Sequence, residues 1–262
     1  MLLLVISMKS ILITGGRSGI IADVIKKIIN DYHLYITVHT LSEYRAIKKI
    51  YKDYKNVECF KLDITKDLDK INNIKVDILI CNGAVIETGS LIDMPFNKIY
   101  DTMEVNYFSN LKLIRKVIRS NDSVRVIVIS SLASKMNIPF LGPYSSSKAA
   151  LSSMIRSLRY ETMFLDKKIK IILIEPGLYK TGFNKMGFDK KYEFMDIDDF
   201  FHDNINLIHN LDNILLLFER KKLNTISKKI VKAIKDKNPK FYYSAPISQY
   251  IFVKLYNFLC DF

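Results

Sequence analysis

Short apolar runs rich in Ile, Val and Leu recur along most of the chain, each followed by a longer stretch in which apolar residues return every three or four positions. The runs at about 10–13, 34–38, 57–60, 76–80, 124–130 and 169–174 read as strands, with Val76–Ile80 and Ile169–Ile174 apolar enough to be buried on both faces. The stretches at about 19–30 and 42–54, the region up to about 120 that includes Val105–Val117, and the stretch from Tyr144 to about 164 read as helices. Strands separated by helices of that length need right-handed crossovers. The expected fold is therefore α/β, a doubly wound parallel sheet with helices on both faces.

After Thr181 the alternation stops. Residues 182–238 are expected to be mainly helical, with loops near 182–189. Phe241–Tyr243 would be a last strand, and Pro246 would open a terminal helix to about 259. No linker, repeat or low-complexity tract interrupts the chain, so one domain over 1–262 is expected: a core at 9–181 and a substrate-side segment at 182–262.

Composition adds little to that pattern. The chain has 262 residues, 49% of them hydrophobic, enough for one large core. Its 40 basic and 27 acidic side chains leave a net charge of +13. The lysines are scattered, with short clusters at Lys221-Lys222 and Lys228-Lys229, which reads as a solvated basic face and not as a nucleic-acid surface. Cys59, Cys81 and Cys260 are odd in number and widely spaced, as expected in a reducing, cytoplasmic compartment. Neither they nor His33, His39, His202 and His209 have metal-ligand spacing, so no metal is expected; His202 and His209 would share a helix. Met1–Ile6 is too short to span a membrane, and Met8 is a candidate start.

Two motifs carry chemistry. Thr14-Gly15-Gly16-Arg17-Ser18-Gly19-Ile20-Ile21 lies between a strand and a helix, the setting in which glycines turn the chain and bring helix N–H groups to a pyrophosphate. Strand two ends Thr37-Val38-His39-Thr40 without a carboxylate to bind a ribose. That absence, with Arg17 in the loop, favours NADP(H) over NAD(H). The second motif is Ser131 after a strand with Tyr144 and Lys148 one helical turn apart on one face. An ammonium beside a phenol favours the phenolate and suits it to acid–base work on a carbonyl or alcohol. The same Tyr-x-x-x-Lys spacing at Tyr44/Lys48, Tyr51/Lys55 and Tyr250/Lys254 has no such context and reads as helix surface.

Taken together, residues 9–181 resemble the classical short-chain dehydrogenase/reductase family, and more loosely its retinol and 17β-hydroxysteroid dehydrogenase branch. The resemblance implies a Rossmann fold and an NAD(P)-dependent interconversion of carbonyl and alcohol. It implies Asn106, Ser131, Tyr144 and Lys148 as the catalytic set. It implies cofactor contacts from Thr14, Gly15, Arg17, Ser18, Gly19, Ile20, Thr40, Asp63, Ile64, Asn82, Gly83, Pro176, Gly177 and Thr181, together with Tyr144 and Lys148. Cys81-Asn82-Gly83-Ala84 keeps the core asparagine of the family's Asn-Asn-Ala-Gly turn but not its neighbours.

The expected partner is a small carbonyl or alcohol substrate, with a homodimer or homotetramer as the assembly. Phe183, Phe188, Phe194, Phe200 and Phe201 are candidates to wall an apolar pocket or to pack as a cap. Tyr250–Leu259 would cover the active site, form an interface or touch a membrane. The rival activities are a 3-oxoacyl carrier-protein reductase, suited to the positive charge, and a silent cofactor-binding scaffold. A sugar-nucleotide epimerase spaces its glycines differently.

Overall fold

The computed structural model describes residues 8–17, 19–194 and 200–260. Its frame is seven parallel strands in the order β3-β2-β1-β4-β5-β6-β7. These are β1 (Ser10–Ile13), β2 (His33–Val38), β3 (Val57–Lys61), β4 (Ile78–Cys81), β5 (Ser123–Ile129), β6 (Lys168–Pro176) and β7 (Tyr242–Ala245). The helices are α1 (Gly19–Ile28), α2 (Leu41–Ile50), α3 (Phe96–Met103), α4 (Asn110–Ser120), α5 (Gly142–Glu161), α6 (Phe183–Lys190), α7 (Ile205–Leu217), α8 (Asn224–Lys235) and α9 (Ile247–Cys260).

The period of two along each strand divides the core into two layers. Ile11 and Ile13 of β1, Ile78 and Ile80 of β4, and Ile172 and Ile174 of β6 face one layer, which α1 and α8 close with Ile21, Val24, Ile25, Ile226, Ile230 and Ile234. Leu12, Leu79, Ile171 and Leu173 point the other way, onto Leu113, Ile114 and Val117 of α4 and Leu151 and Ile155 of α5. Each fully buried Ile or Leu contributes about 1.5–3 kcal/mol, so both faces of the central strands must be covered. That requirement is why β4 and the Ile171–Ile174 part of β6 read as unbroken apolar runs.

Three expectations need correction. The loops expected near 182–189 are instead the helix α6, Phe183–Lys190, with Gly182 before it at φ +83°. The helix expected over Val105–Val117 is not continuous: Glu104–Ser109 forms a π-helical turn between α3 and α4. Its cause is tertiary, because Asn106 turns inward to bind the loop after β4, as described below, and a π-turn accommodates one extra residue. His202 and His209 do not share a helix either, since His202 lies in a 3-10 turn and His209 in α7. Residues 1–7, on which the candidate start at Met8 bears, lie outside the described residues.

Candidate active site

The strand order reverses between β1 and β4, so the loops leaving those two strands diverge and open a cleft at their carboxyl ends. Thr14 ties the two loops together. Its buried hydroxyl accepts from the N–H groups of Asn82 and Gly83, both at 3.0 Å, and donates to Ile80 O at 3.5 Å. With those partners its side chain serves the cofactor loop by holding its shape. Asn82 Nδ2 donates to Gly15 O at 2.9 Å. Gly15 has φ +63°, and a Cβ there would lie 2.9 Å from Asn82 Nδ2, so only glycine lets the two loops meet this closely. A Cβ on Gly19 would lie 2.9 Å from Thr181 Cγ2, which brings the α1 N-terminus against the loop after β6.

The cleft has a volume of about 1490 Å³. That exceeds the range of a single drug-sized site and suits a dinucleotide with a second molecule beside it. Arg17, Ile20, Thr40, Asp63, Ile64, Asn82, Gly83, Pro176, Gly177 and Thr181 all line it, joining Thr14, Gly15 and Gly19. Ser18 lies outside the described residues. Asp63 Oδ1 accepts from the Thr65 N–H at 2.9 Å and the Thr65 hydroxyl at 2.7 Å, while Oδ2 lies 3.4 Å from His39 Nε2. Burial acts to raise its pKa, but the Thr65 bonds and His39 outweigh it and hold the carboxyl below its ordinary value.

Sequence reasoning missed Glu43. A capping box at the start of α2 pairs Thr40 Oγ1 with the Glu43 N–H at 3.2 Å and Glu43 Oε2 with the Thr40 N–H at 3.1 Å. The box holds a carboxylate on the wall that also carries Arg17 and His39.

Along the other half of the cleft, β5 delivers Ser131 and α5 delivers Tyr144 and Lys148. Ser131 caps a 3-10 turn, accepting from Ala133 N at 3.1 Å, and its hydroxyl lies on the Tyr144 side of the cleft, where it acts to lower the phenol's pKa. Lys148 Nζ donates to Ile129 O at 3.2 Å and lies 5.7 Å from the Tyr144 ring centre. Both side chains are buried. Burial pushes the Tyr144 pKa up to about 12, against a smaller lowering by Ser131, and pushes Lys148 down to about 8. This reverses the expected direction for Tyr144: withdrawal from water outweighs the nearby ammonium, and the unliganded protein holds a phenol.

The fourth predicted residue is wholly engaged with protein. Asn106 Oδ1 accepts from Val85 N at 2.8 Å, and Nδ2 donates to Val85 O and to Ser147 Oγ, both at 2.9 Å. Ser147 Oγ in turn donates to Tyr144 O at 2.7 Å, so one chain of bonds joins the β4 loop, the π-turn and the catalytic helix. Ser147 was missed, although it lies three residues after Tyr144 on the same helix face. Asn106→Ala is expected to lower stability by about 2 kcal/mol, because it leaves the Val85 amide and carbonyl without these partners. Chemical denaturation reads this directly, and an unchanged midpoint would refute the strut.

The far end of the cleft is apolar. Ile86, Leu141 and Phe188 pack around Tyr144, and Phe183 meets its ring edge-on at 6.1 Å between centres. Phe183 and Phe188 line the cleft as expected. Phe201 instead packs on Phe140, 5.2 Å between ring centres, and Phe200 is exposed; neither lines the cleft. The Phe194 side chain lies outside the described residues. In the copies Tyr44/Lys48 and Tyr250/Lys254 the ammonium lies over the ring on α2 and α9, at 5.6 and 5.1 Å. Tyr51 ends α2 and packs in the core, so Tyr51 and Lys55 share no helix face.

Comparison with known proteins identifies the family. The family model described as short chain dehydrogenase matches residues 9–191. The chain belongs to the short-chain dehydrogenase/reductase family. The chain spans about two thirds of the length of the curated relatives it matches. Among curated relatives, the dehydrogenase/reductase SDR family protein 7-like of Dictyostelium discoideum is 33% identical over 201 residues, 67% of this chain but 60% of its own length. The 3-oxoacyl-acyl-carrier-protein reductase FabG of Rickettsia conorii is 30% identical over 185 residues, 66% of this chain and 73% of that protein. Among solved structures, a short-chain dehydrogenase/reductase from Burkholderia phymatum in complex with NAD has a TM-score of 0.79 at 17% identity, covering 95% of this chain and 92% of that one. At that identity the likeness concerns the fold alone.

Proposed function

We propose that this short-chain dehydrogenase/reductase reduces an apolar carbonyl compound to its alcohol, preferring NADP(H). The observation that carries the reading is the position of Tyr144. Its ring is packed against Ile86, Leu141, Phe183 and Phe188, and with Ser131 and Lys148 it lines the cleft where the dinucleotide half meets the apolar half. The bound cofactor supplies the hydride.

The chain's residues do the rest. Tyr144 gives its Oη proton to the carbonyl oxygen, and with a pKa of about 12 it carries that proton throughout the neutral range. The Ser131 hydroxyl donates to the same oxygen and offsets its growing negative charge. Lys148, one turn away, places a positive charge beside the phenol, holds the cofactor ribose and stabilises the tyrosinate left behind. Asn106 keeps the π-turn and α5 in register, and its backbone anchors a water that returns protons to Lys148. The wall from Gly15 to Ile20 takes the pyrophosphate at the α1 N-terminus. Asp63 and Ile64 hold the adenine, and the Pro176–Thr181 loop holds the carboxamide.

Arg17 and His39 support NADP(H), while Glu43 on the same wall opposes a 2′-phosphate. Arg17→Ala is expected to weaken NADPH about tenfold and NADH little. Glu43→Gln, which keeps the capping box, should strengthen NADPH. Titration of both variants with both cofactors tests this, and unchanged ratios would reject the assignment.

Exposed Phe96, Tyr100, Phe108, Tyr160, Met163 and Phe164, on α3, the π-turn and the end of α5, support a homodimer through that face. Free thiols at Cys59 and Cys81 support a reducing, cytoplasmic setting. The likeness to FabG and the net positive charge favour a second substrate class, acyl thioesters on an acidic carrier. Cofactor-linked turnover over ketones, retinoids, steroids and acyl thioesters separates the two. Turnover of thioesters alone would replace the first reading with the second.

A further inference from the structure

Two helices at the mouth of the cleft display apolar faces to solvent. On α7 and the residue after it, Leu207, Leu211, Ile214 and Phe218 follow one another at spacings of four, three and four and so form a single stripe. On α9, Ile247, Ile251, Leu255 and Phe258, at spacings of four, four and three, form another. These side chains are between 43% (Leu211) and 64% (Phe258) exposed. The stripes meet at the cleft: Gln249 Nε2 donates to Phe218 O at 2.9 Å, and Arg220 Nη2 to Ser248 Oγ at 3.1 Å. Phe218 and Phe252 belong both to this surface and to the lining of the cavity that ends at Tyr144.

The charges around the stripes are basic. Lys180 and Lys185 border a depression shared with Ile214 and Leu217, Arg220 sits between the two helices, and Lys254 flanks the α9 stripe. The carboxylate at this rim, Glu219, is engaged by Asn184 Nδ2 at 2.7 Å. We propose that the chain docks on anionic membrane surfaces through α7 and α9, with its cleft opening towards the lipid.

Charge selects this occupant. A second copy presenting the same basic rim against this face would be repelled, whereas an anionic bilayer attracts each lysine held near it. The helices lie on the surface. Among the described residues no helix is long and apolar enough to cross a membrane, and α9 has 14 residues where a span needs about 20. Lipid-borne substrate would enter between Phe218 and Phe252. That last role rests on the reading of the cleft as a site for an apolar carbonyl, but docking itself does not.

The test is flotation of the full chain with vesicles of phosphatidylcholine and of an equimolar phosphatidylcholine–phosphatidylglycerol mixture, at low and physiological salt. Binding is expected to be at least about tenfold stronger on the anionic vesicles and to weaken with salt. Leu211→Glu/Ile251→Glu/Phe258→Glu should reduce it about tenfold or more, with far-ultraviolet circular dichroism and cofactor affinity as in the parent. Lys180→Gln/Lys185→Gln/Lys254→Gln should lose the preference for anionic lipid. The proposal is overturned if the parent floats with neither vesicle or if the triple glutamate variant floats as well as the parent. It is also overturned if sedimentation velocity shows that the stripes join two copies and the glutamates separate them. Because flotation needs no turnover, its failure is distinct from a failure to reduce carbonyls.

Discussion

Tyr144→Phe is expected to lower turnover about 10²–10⁴-fold while cofactor affinity stays within a few-fold of the parent. The substitution removes one hydroxyl and keeps the ring that packs on Ile86, Leu141, Phe183 and Phe188. Stability should change little, because the ring keeps its packing and Ser131 keeps the Ala133 N–H. Loss of the proton donor therefore separates from loss of the fold. The magnitude follows from the setting: a buried phenol with a pKa near 12 is fully protonated at working pH, and no other phenol flanks Ser131 to replace it among the described residues lining the cleft. Ser131→Ala should fall by a smaller factor, since it removes one donor to the oxygen and leaves the proton in place.

Lys148→Met is expected to move activity and stability in opposite directions. Lys148 is buried, and burial lowers its pKa from 10.5 to about 8. Below pH 8 the folded chain thus carries a buried charge that the unfolded chain leaves in water, at a cost of about 3 kcal/mol. Between pH 8 and 10.5 the unfolded state binds the extra proton, so stability rises with pH through that window. Tyr144 has the opposite sign: its raised pKa makes stability fall as pH climbs from 10 towards 12. Methionine of similar length should stabilise the unliganded protein by about 1–3 kcal/mol at pH 7 and flatten the rise above pH 8. Lys135, also lowered to about 8 by burial, leaves part of the slope in place. Turnover should meanwhile drop about 10²-fold or more, because the charge that is costly to the fold is the one the tyrosinate requires. Thermal melts across pH and steady-state rates on the same preparation test both halves, and a destabilised Lys148→Met protein would contradict the account.

β4 was readable because burial on both faces leaves it no polar position, and in β6 the run Ile171–Ile174 carries the same signal between Lys170 and the buried Glu175. The glycine loop, Ser131, Tyr144 and Lys148 were readable because each needs a residue type that its neighbours cannot replace. The π-turn was not. It follows from Asn106 reaching Val85 across the fold, a contact with no trace in local spacing. Gln249, which accepts from Leu178 N at 2.7 Å and so braces the loop after β6, is equally silent in a helix of mixed composition. Glu43 was within reach, since Thr40-x-x-Glu43 is a capping box in the sequence itself. The direction of the Tyr144 pKa was misjudged because spacing reports the nearby ammonium but not the depth at which both groups are buried. Phe200 and Phe201 show the same limit, for an aromatic residue after the cofactor loop meets either the cleft or its own cap.

The most direct measurement is cofactor consumption and alcohol formation by the full chain over a panel of apolar ketones and aldehydes, run beside Tyr144→Phe at matched cofactor saturation. The account predicts that the parent forms one alcohol per NADPH oxidised with at least one member of the panel, and that Tyr144→Phe binds the cofactor yet turns over at least about 10²-fold more slowly. A parent that binds NADPH and reduces nothing, or a Tyr144→Phe variant that keeps pace with it, would contradict the assignment of Tyr144 as the proton donor.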